Sequence, residues 1–236
     1  MPARELASVK DLTVKFRYNI ALDGITLDLK GNRVLLLGSN GSGKTTLMRV
    51  LSGILRPTEG SVKVLGLDPF KNPSKLYSRM LYVRDVEDIP YMMRVSSVID
   101  YLSDLYGPEP VKNAVETLGL EEHAFKRVGE LSKGLRRRVA MIEPLASNRK
   151  LILMDEPFSG LDATSRIIIA KALNDLPKKT GLVIASHIPL NLGIDQMVVL
   201  EGGKLTYSGP YKEEVAGKYL AWMEFDSKKP INHPAD

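Results

Sequence analysis

Eight consecutive residues, Gly38-Ser39-Asn40-Gly41-Ser42-Gly43-Lys44-Thr45, constrain this chain more than any others. They match G-x-x-x-x-G-K-[ST] at every fixed position, after an apolar run at 33–37 and before a helical pattern at 44–51. A short continuous apolar run suits a strand buried on both faces of a parallel sheet. The chain must therefore build an α/β core in which that strand ends in a glycine-rich loop and a helix follows. Glycines permit positive backbone dihedrals and close approach, so successive N–H groups can turn inward around phosphate oxygens. The helix start adds partial positive charge. The expected ligand along this loop, through Thr46, is a nucleoside triphosphate. Lys44 would reach its β- and γ-phosphates, and Thr45 would offer a hydroxyl to Mg²⁺.

Periodicity organises the rest. Residues 6–30 read as an antiparallel hairpin turning at 17–19, and 61–65 and 79–83 as further strands. Val95, Val98, Ile99, Leu102 and Leu105 then recur at helical spacing, ended by Gly107-Pro108. Val111, Ala114, Val115 and Leu118 mark a second helix. A third is expected at 135–146, with Pro144 bending or shortening its last turn. Residues 85–147 thus form a helical insertion. Beyond it lie a strand at 151–155, a helix at 162–176, a strand at 182–186 and a hairpin at 196–208 joined by Gly202-Gly203. The expected fold class is α/β: a P-loop NTPase core with a mixed or parallel sheet, an N-terminal antiparallel β subdomain and an inserted α-helical subdomain. Residues 1–228 make one domain, and the polar, proline-bearing stretch 229–236 is expected to be a flexible tail.

Composition removes several classes. Apolar content of 44% and charged content of 26% over 236 residues are those of a soluble globular chain. No apolar run approaches the ~20 residues of a membrane helix, and Met1-Pro2-Ala3-Arg4-Glu5 lacks the apolar core of a secretory signal. Zero cysteines exclude disulfides and thiolate metal sites, and fit a reducing cytosol. The net charge of +5 is scattered, and its densest clusters, Arg136-Arg137-Arg138 and Lys178-Lys179, are short. No nucleic-acid partner is expected. The expected location is cytoplasmic, with no direct membrane span.

Leu151-Ile152-Leu153-Met154 delivers Asp155 and Glu156 to the carboxyl end of a buried strand, where α/β sheets bind ligands. Asp155 suits the Mg²⁺ shell through a water, and Glu156 suits polarising an attacking water. Alone, such a pair also reads as a helix N-cap region. Pro157 and Ser159-Gly160-Leu161-Asp162 shift that balance. Leu131-Ser132-Lys133-Gly134-Leu135 alone is an ordinary helix start. Between the phosphate loop and the acid pair it reads as a second anion site, built from a serine hydroxyl, a glycine N–H and a helix N-terminus.

Together these motifs resemble the ATPase subunits of ATP-binding cassette (ABC) transporters, from the first hairpin strand through the last. Leu131 to Leu135 is similar to the L-S-G-G-Q signature, with Lys133 in place of the first glycine and Leu135 in place of the glutamine. The resemblance implies that Ser132 and Gly134 donate to the γ-phosphate bound by the opposite subunit. Ser159, Gly160, Leu161 and Asp162 take the place of the D-loop, which crosses to that subunit. His187, after the next core strand, takes the place of the switch histidine, so the implied catalytic set is Glu156, His187 and Lys44. An aromatic ring should stack on adenine; Phe16 or Tyr18 fits, depending on hairpin register. Asp85 stands where the family has a Mg²⁺-touching glutamine, and a carboxylate there would keep that role with altered coupling.

The resemblance further implies a homodimer, or a pair with a related ABC subunit, closed head to tail around two Mg-ATP. The implied function is ATP hydrolysis driving transport, export favoured, through a separate integral-membrane permease at the inner face of the cell membrane. Pro90, Tyr91, Met92 and Met93 are candidates to line the groove that receives it. A soluble ABC ATPase acting as a mechanical clamp in cofactor assembly or nucleic-acid processes is the alternative. The transported substance is not written in this chain.

Overall fold

A computed structural model describes residues 4–84, 89–190 and 192–218. Strands β1 (Glu5–Phe16) and β2 (Asn19–Lys30) pair antiparallel from Glu5↔Lys30 to Phe16↔Asn19. That register leaves only Arg17 and Tyr18 for the turn. After β3 (Arg33–Leu37), the chain returns through β4 (Glu59–Val64) to the other edge of β1, giving a three-stranded sheet ordered β2-β1-β4.

The second sheet contains β3, β5 (Met80–Val83), β6 (Leu151–Asp155), β7 (Gly181–Ser186), β8 (Gln196–Glu201) and β9 (Lys204–Gly209). Its order is β5-β6-β7-β3-β8-β9, parallel throughout except for the β8–β9 hairpin. Successive strand side chains point to opposite faces, and the central strands are apolar on both. Val34, Leu36, Leu151, Leu153, Val183 and Ala185 pack with the antiparallel sheet and with Leu47, Met48 and Leu51 of α1 (Lys44–Leu51). Ile152, Met154, Leu182 and Ile184 pack on the other face, against the helical insertion. Burying each such aliphatic side chain contributes roughly 1.5–3 kcal/mol, which is why these runs show no polar alternation.

The insertion departs from the sequence reading in its breaks. A short helix, α2 (Pro73–Tyr77), precedes β5 and was not expected. It is five residues long and carries little periodicity. Next come α3 (Val95–Tyr106) and α4 (Pro108–Leu118). Pro108 opens α4 at its first position, where a missing N–H costs nothing.

The single helix expected at 135–146 is two: α5 (Lys133–Ala140) and α6 (Ile142–Ala146). Pro144 has no N–H for the Ala140 carbonyl and its ring crowds that position. The break therefore falls at Met141, ahead of the proline, and Pro144 sits in the first turn of α6. The helix expected at 162–176 is α7 (Ala163–Asn174), with Asp162 as its N-cap rather than its first residue. Asp85 and the stretch 229–236 lie outside the described residues.

Candidate active site

Parallel register gathers the predicted site residues at one edge of the sheet. Leu37 is level with Ser186, and Asp155 with Ala185. The next residues along each strand, Gly38, His187 and Glu156, therefore emerge side by side at the carboxyl ends of β3, β7 and β6.

Residues 38–43 form the loop between β3 and α1, and Lys44, Thr45 and Thr46 start the helix. Gly43 has φ 104°, and a Cβ there would lie 2.7 Å from the Ala21 carbonyl oxygen and from Leu22 Cδ2. Glycine is required both by the dihedral and by this close approach of β2. Gly203 N–H donates to the Ser42 carbonyl at 3.1 Å, bracing the loop from the β8–β9 hairpin. Lys44 is 5% exposed, and its Nζ donates to the Gly38 and Ser39 carbonyls at 2.8 and 3.0 Å. Burial holds the Lys44 ammonium below its usual pKa, with Glu156 and then Asp155 pulling it back up. A poorly hydrated cation held by loop carbonyls and facing Glu156 is well placed to transfer to phosphate oxygens.

Glu156 is a non-glycine residue with φ 48°, in the left-handed region that L side chains rarely occupy. The turn is held from several sides. Its N–H donates to the Ala185 carbonyl at 2.9 Å, and its carbonyl accepts from Ser159 N–H at 3.2 Å. Oε2 lies 2.7 Å from His187 Nδ1, and Oε1 lies 3.6 Å from Lys44 Nζ. An ionised carboxylate only accepts, so Nδ1 carries the hydrogen and Nε2 is left as the second ring position. Oε1 is buried and accepts no hydrogen bond. A cavity of about 100 Å³ adjoins the pair, lined by Glu156, Ser159, Gly160, Arg166, His187 and Ile188 among others. Space beside this carboxylate is what a water needs in order to be held for attack.

Asp155 is 3% exposed, and Tyr82 donates its hydroxyl to Asp155 Oδ2 at 3.3 Å. Burial, then the Asp155 charge, push the Tyr82 phenol well above its usual pKa, so it stays a donor. Among the described residues no group of three or more His, Cys, Asp or Glu side chains could hold a metal. Mg²⁺ in nucleotide sites takes one or two protein oxygens plus phosphates and waters. The Asp155 carboxylate and the Thr45 hydroxyl are hard oxygen donors of that kind and fit it.

Residues 131–135 and 159–162, which the resemblance assigns to the signature and D-loop, form a second cluster. Ser132 caps α5, its Oγ accepting from Leu135 N–H at 3.2 Å, while Leu131 is buried beneath. Asp162 caps α7, accepting from Ser165 N–H at 2.8 Å and from Ser165 Oγ at 2.9 Å. These bonds hold the Asp162 carboxyl below the usual carboxylate range. Gly134 packs directly on this cap: a Cβ there would overlap Ser165 Oγ and Asp162 Oδ2. Lys133 reaches over Gly160, where a Cβ would overlap its Nζ. Leu161 is buried, and Arg138 Nη2 donates to Ser165 Oγ at 3.0 Å. Arg138, Ser165 and Tyr82 were not singled out from sequence. Arg138 lies one turn after Gly134, and Ser165 sits at capping distance from Asp162; those spacings were the available signals.

Phe16 closes β1 and is 49% exposed, beside the hairpin end that packs on Gly43. Tyr18 is in the turn, 96% exposed.

A family model described as "ABC transporter" matches residues 22–159. The chain belongs to the ABC transporter family. It is an ATP-binding subunit and an ATPase. It is 32% identical to the ABC transporter ATP-binding protein NatA of Bacillus subtilis, covering 76% of this chain and 77% of the relative. Relatives are named for both directions of transport. The cytochrome c biogenesis ATP-binding export protein CcmA of Wolbachia pipientis is 32% identical over 65% of this chain and 74% of its own length. The phosphonates import protein PhnC of Rhizobium etli is 26% identical over 85% and 80%. Among solved structures, cbiO1 of Clostridium perfringens, described as part of an ABC transporter complex, superposes with a TM-score of 0.77 at 26% identity. That match covers 98% of this chain and 97% of cbiO1.

On this ABC subunit, a mostly apolar cavity of about 310 Å³ opens between β5 and the insertion, lined by Tyr82, Val83, Ile89, Met93, Tyr101 and Leu102 among others. Of the residues proposed from sequence for a permease groove, Pro90 and Met93 line this cavity; Tyr91 and Met92 are exposed at 60% and 71% but are not in its wall. No helix among the described residues is long and apolar enough to cross a membrane.

Proposed function

We propose that this subunit hydrolyses Mg-ATP at the edge formed by β3, β6 and β7, and drives transport through a separate permease polypeptide. The observation that carries the hydrolytic reading is the convergence of Lys44 and His187 on one carboxylate, Glu156, which lines a cavity of about 100 Å³. Residues 38–46 wrap the phosphates, and Lys44 exchanges its loop carbonyls for phosphate oxygens. Thr45 and Asp155 would hold Mg²⁺, which would neutralise phosphate charge when bound. Glu156 orients the attacking water, and His187 fixes that carboxylate through Nδ1 while presenting Nε2 to the γ-phosphate. Catalysis on this plan is positioning and charge stabilisation.

The cluster of Ser132, Gly134 and Asp162 faces a second subunit's nucleotide, so two copies, or this chain and a related one, close head to tail with two-fold symmetry. Loss of the γ-phosphate removes the bridge and opens the pair. The apolar cavity beside β5 receives a permease segment at the inner face of the membrane, and Asp85 senses Mg²⁺. The 32% identity to an export-named relative favours export. Affinity capture of this chain from detergent-solubilised membranes should bring down a multi-span protein, and Tyr101→Glu or Met93→Glu should release it. Capture of soluble partners alone would instead assign the chain to a clamp-like ABC ATPase.

A further inference from the structure

Arg137 heads the fully buried large side chains among the described residues, at 0% exposure. It belongs to α5, three residues after Gly134 and five after Ser132. Nη1 donates to the Arg84 carbonyl at 2.9 Å, just past the end of β5, and Nη2 reaches the Glu156 carbonyl at 3.5 Å. A charge enclosed by protein is retained only where its donors are used, and here they join the signature helix to two segments of the core.

The Glu156 contact has particular weight because that residue occupies a left-handed dihedral, φ 48°. Such a conformation persists only where the surroundings over-determine it. Ala185, His187 and Lys44, which hold Glu156 from the amide and the carboxylate, all belong to the α/β core. Ser159 N–H already donates to its carbonyl at 3.2 Å, and Arg137 adds a second, longer hold there from the insertion. At 3.5 Å that hold is at the limit of hydrogen-bond length, while the Arg84 bond is of full strength. A small shift of α5 against β6 therefore tightens or breaks the Glu156 contact before it disturbs the other.

We propose that Arg137 is a positioning residue that links the seating of the signature helix to the orientation of Glu156. This rests on the hydrolytic reading above, in which Ser132 and Gly134 engage the neighbouring subunit's nucleotide while Glu156 acts on the chain's own. Docking of the α5 tip on one nucleotide is passed along one helical turn to Arg137, and from there to the backbone of the acid at the other site. Nucleotide at each site thereby sets the readiness of its twin.

Arg137→Met keeps the bulk and removes the donors. In the purified subunit its kcat should fall about tenfold to a hundredfold, the scale of a small misplacement of a reacting group. The ATP dissociation constant should not change. Arg137→Lys, which restores one charged donor, should recover part of the loss. Arg137→Met placed on Glu156→Gln should still dimerise with ATP by size-exclusion chromatography, because the nucleotide grip is intact. An unchanged kcat, a parallel loss of ATP affinity, or failure of the double variant to dimerise overturns the proposal; the last two mark a purely structural residue. Should Arg137→Met not fold, Arg137→Gln takes its place under the same readouts. If Glu156→Gln alone hydrolyses ATP normally, the hydrolytic reading fails, and that outcome is separate from any result on Arg137.

Discussion

His187 Nδ1 and Glu156 Oε2 are 2.7 Å apart, although thirty-one positions separate them in the chain. The contact exists because β6 and β7 are adjacent and parallel, with Asp155 level with Ala185. Glu156 lies one residue past that level and His187 two, which brings both polar groups to the same corner. The imidazole fixes one carboxylate oxygen, and the other faces Lys44 Nζ at 3.6 Å.

Removing either partner should therefore affect turnover rather than nucleotide uptake. Glu156→Gln is expected to lower ATP hydrolysis by about 10²–10⁴-fold, the range for loss of a positioned general base, and to accumulate an ATP-bound dimer. His187→Ala should fall in the same direction with ATP affinity retained. Phosphate release and size-exclusion chromatography with ATP measure both. Hydrolysis undiminished in Glu156→Gln would remove this carboxylate from the mechanism.

Lys44 gives a pH-dependent prediction. Burial lowers its pKa from 10.5 because folding disfavours the charged form. While protonated it therefore detracts from stability, and that penalty fades as pH rises through its folded pKa towards 10.5. Triphosphate supplies negative charge and reverses the shift, so ATP binding above the folded pKa should take up a proton. Carbon-13 NMR of labelled lysines should show one ε-resonance titrating ahead of the rest, moving up with ATP and absent in Lys44→Met. A Lys44 resonance titrating with the surface lysines would contradict the burial argument.

What was legible in the sequence follows from locality. The phosphate loop, the acid pair and the strand that carries them are contiguous, so their residue types and spacing sufficed. His187 needed only the next strand. The hairpin turn was read one residue too long, with Asn19 in the turn rather than paired with Phe16, because pairing register is set by both strands together. Pro144 was recognised as a breaker, but its effect was placed in its own turn, whereas the clash acts on the carbonyl four residues earlier, at Ala140. Arg137, Arg138, Ser165 and Tyr82 bond across elements, and no linear spacing announces such contacts. The triplet Arg136-Arg137-Arg138 reads as surface charge until the helix rotates its middle member fully inside.

Gly134 is fixed by packing as much as by any phosphate contact. A methyl group there meets Ser165 Oγ and Asp162 Oδ2, which are themselves bonded to each other at 2.9 Å. Gly134→Ala should therefore push the α5 tip off the α7 cap and destabilise the protein by about 1–3 kcal/mol, the usual cost of overpacking. Thermal unfolding measures this. The double variant Gly134→Ala/Ser165→Gly, which clears the nearest atom, should recover part of the loss. No recovery would mean that the cap is not what limits the site.

The choice between Phe16 and Tyr18 reduces to which ring lies on the ordered end of the hairpin. Phe16 is paired with Asn19 and half-exposed, while the same hairpin end meets the phosphate loop at Gly43. Tyr18 projects from the turn at 96% exposure, with little protein around it to hold a stacking geometry. An aromatic ring stacked on a base contributes about 1–3 kcal/mol, and 1.4 kcal/mol is tenfold in affinity. Phe16→Ala should therefore weaken ATP binding about tenfold or more, leave inorganic tripolyphosphate binding unchanged, and so act on the base alone. Tyr18→Ala should bind ATP like the parent. Calorimetric titration of both variants with both ligands decides the matter, and a loss confined to Tyr18→Ala would move the adenine to the turn.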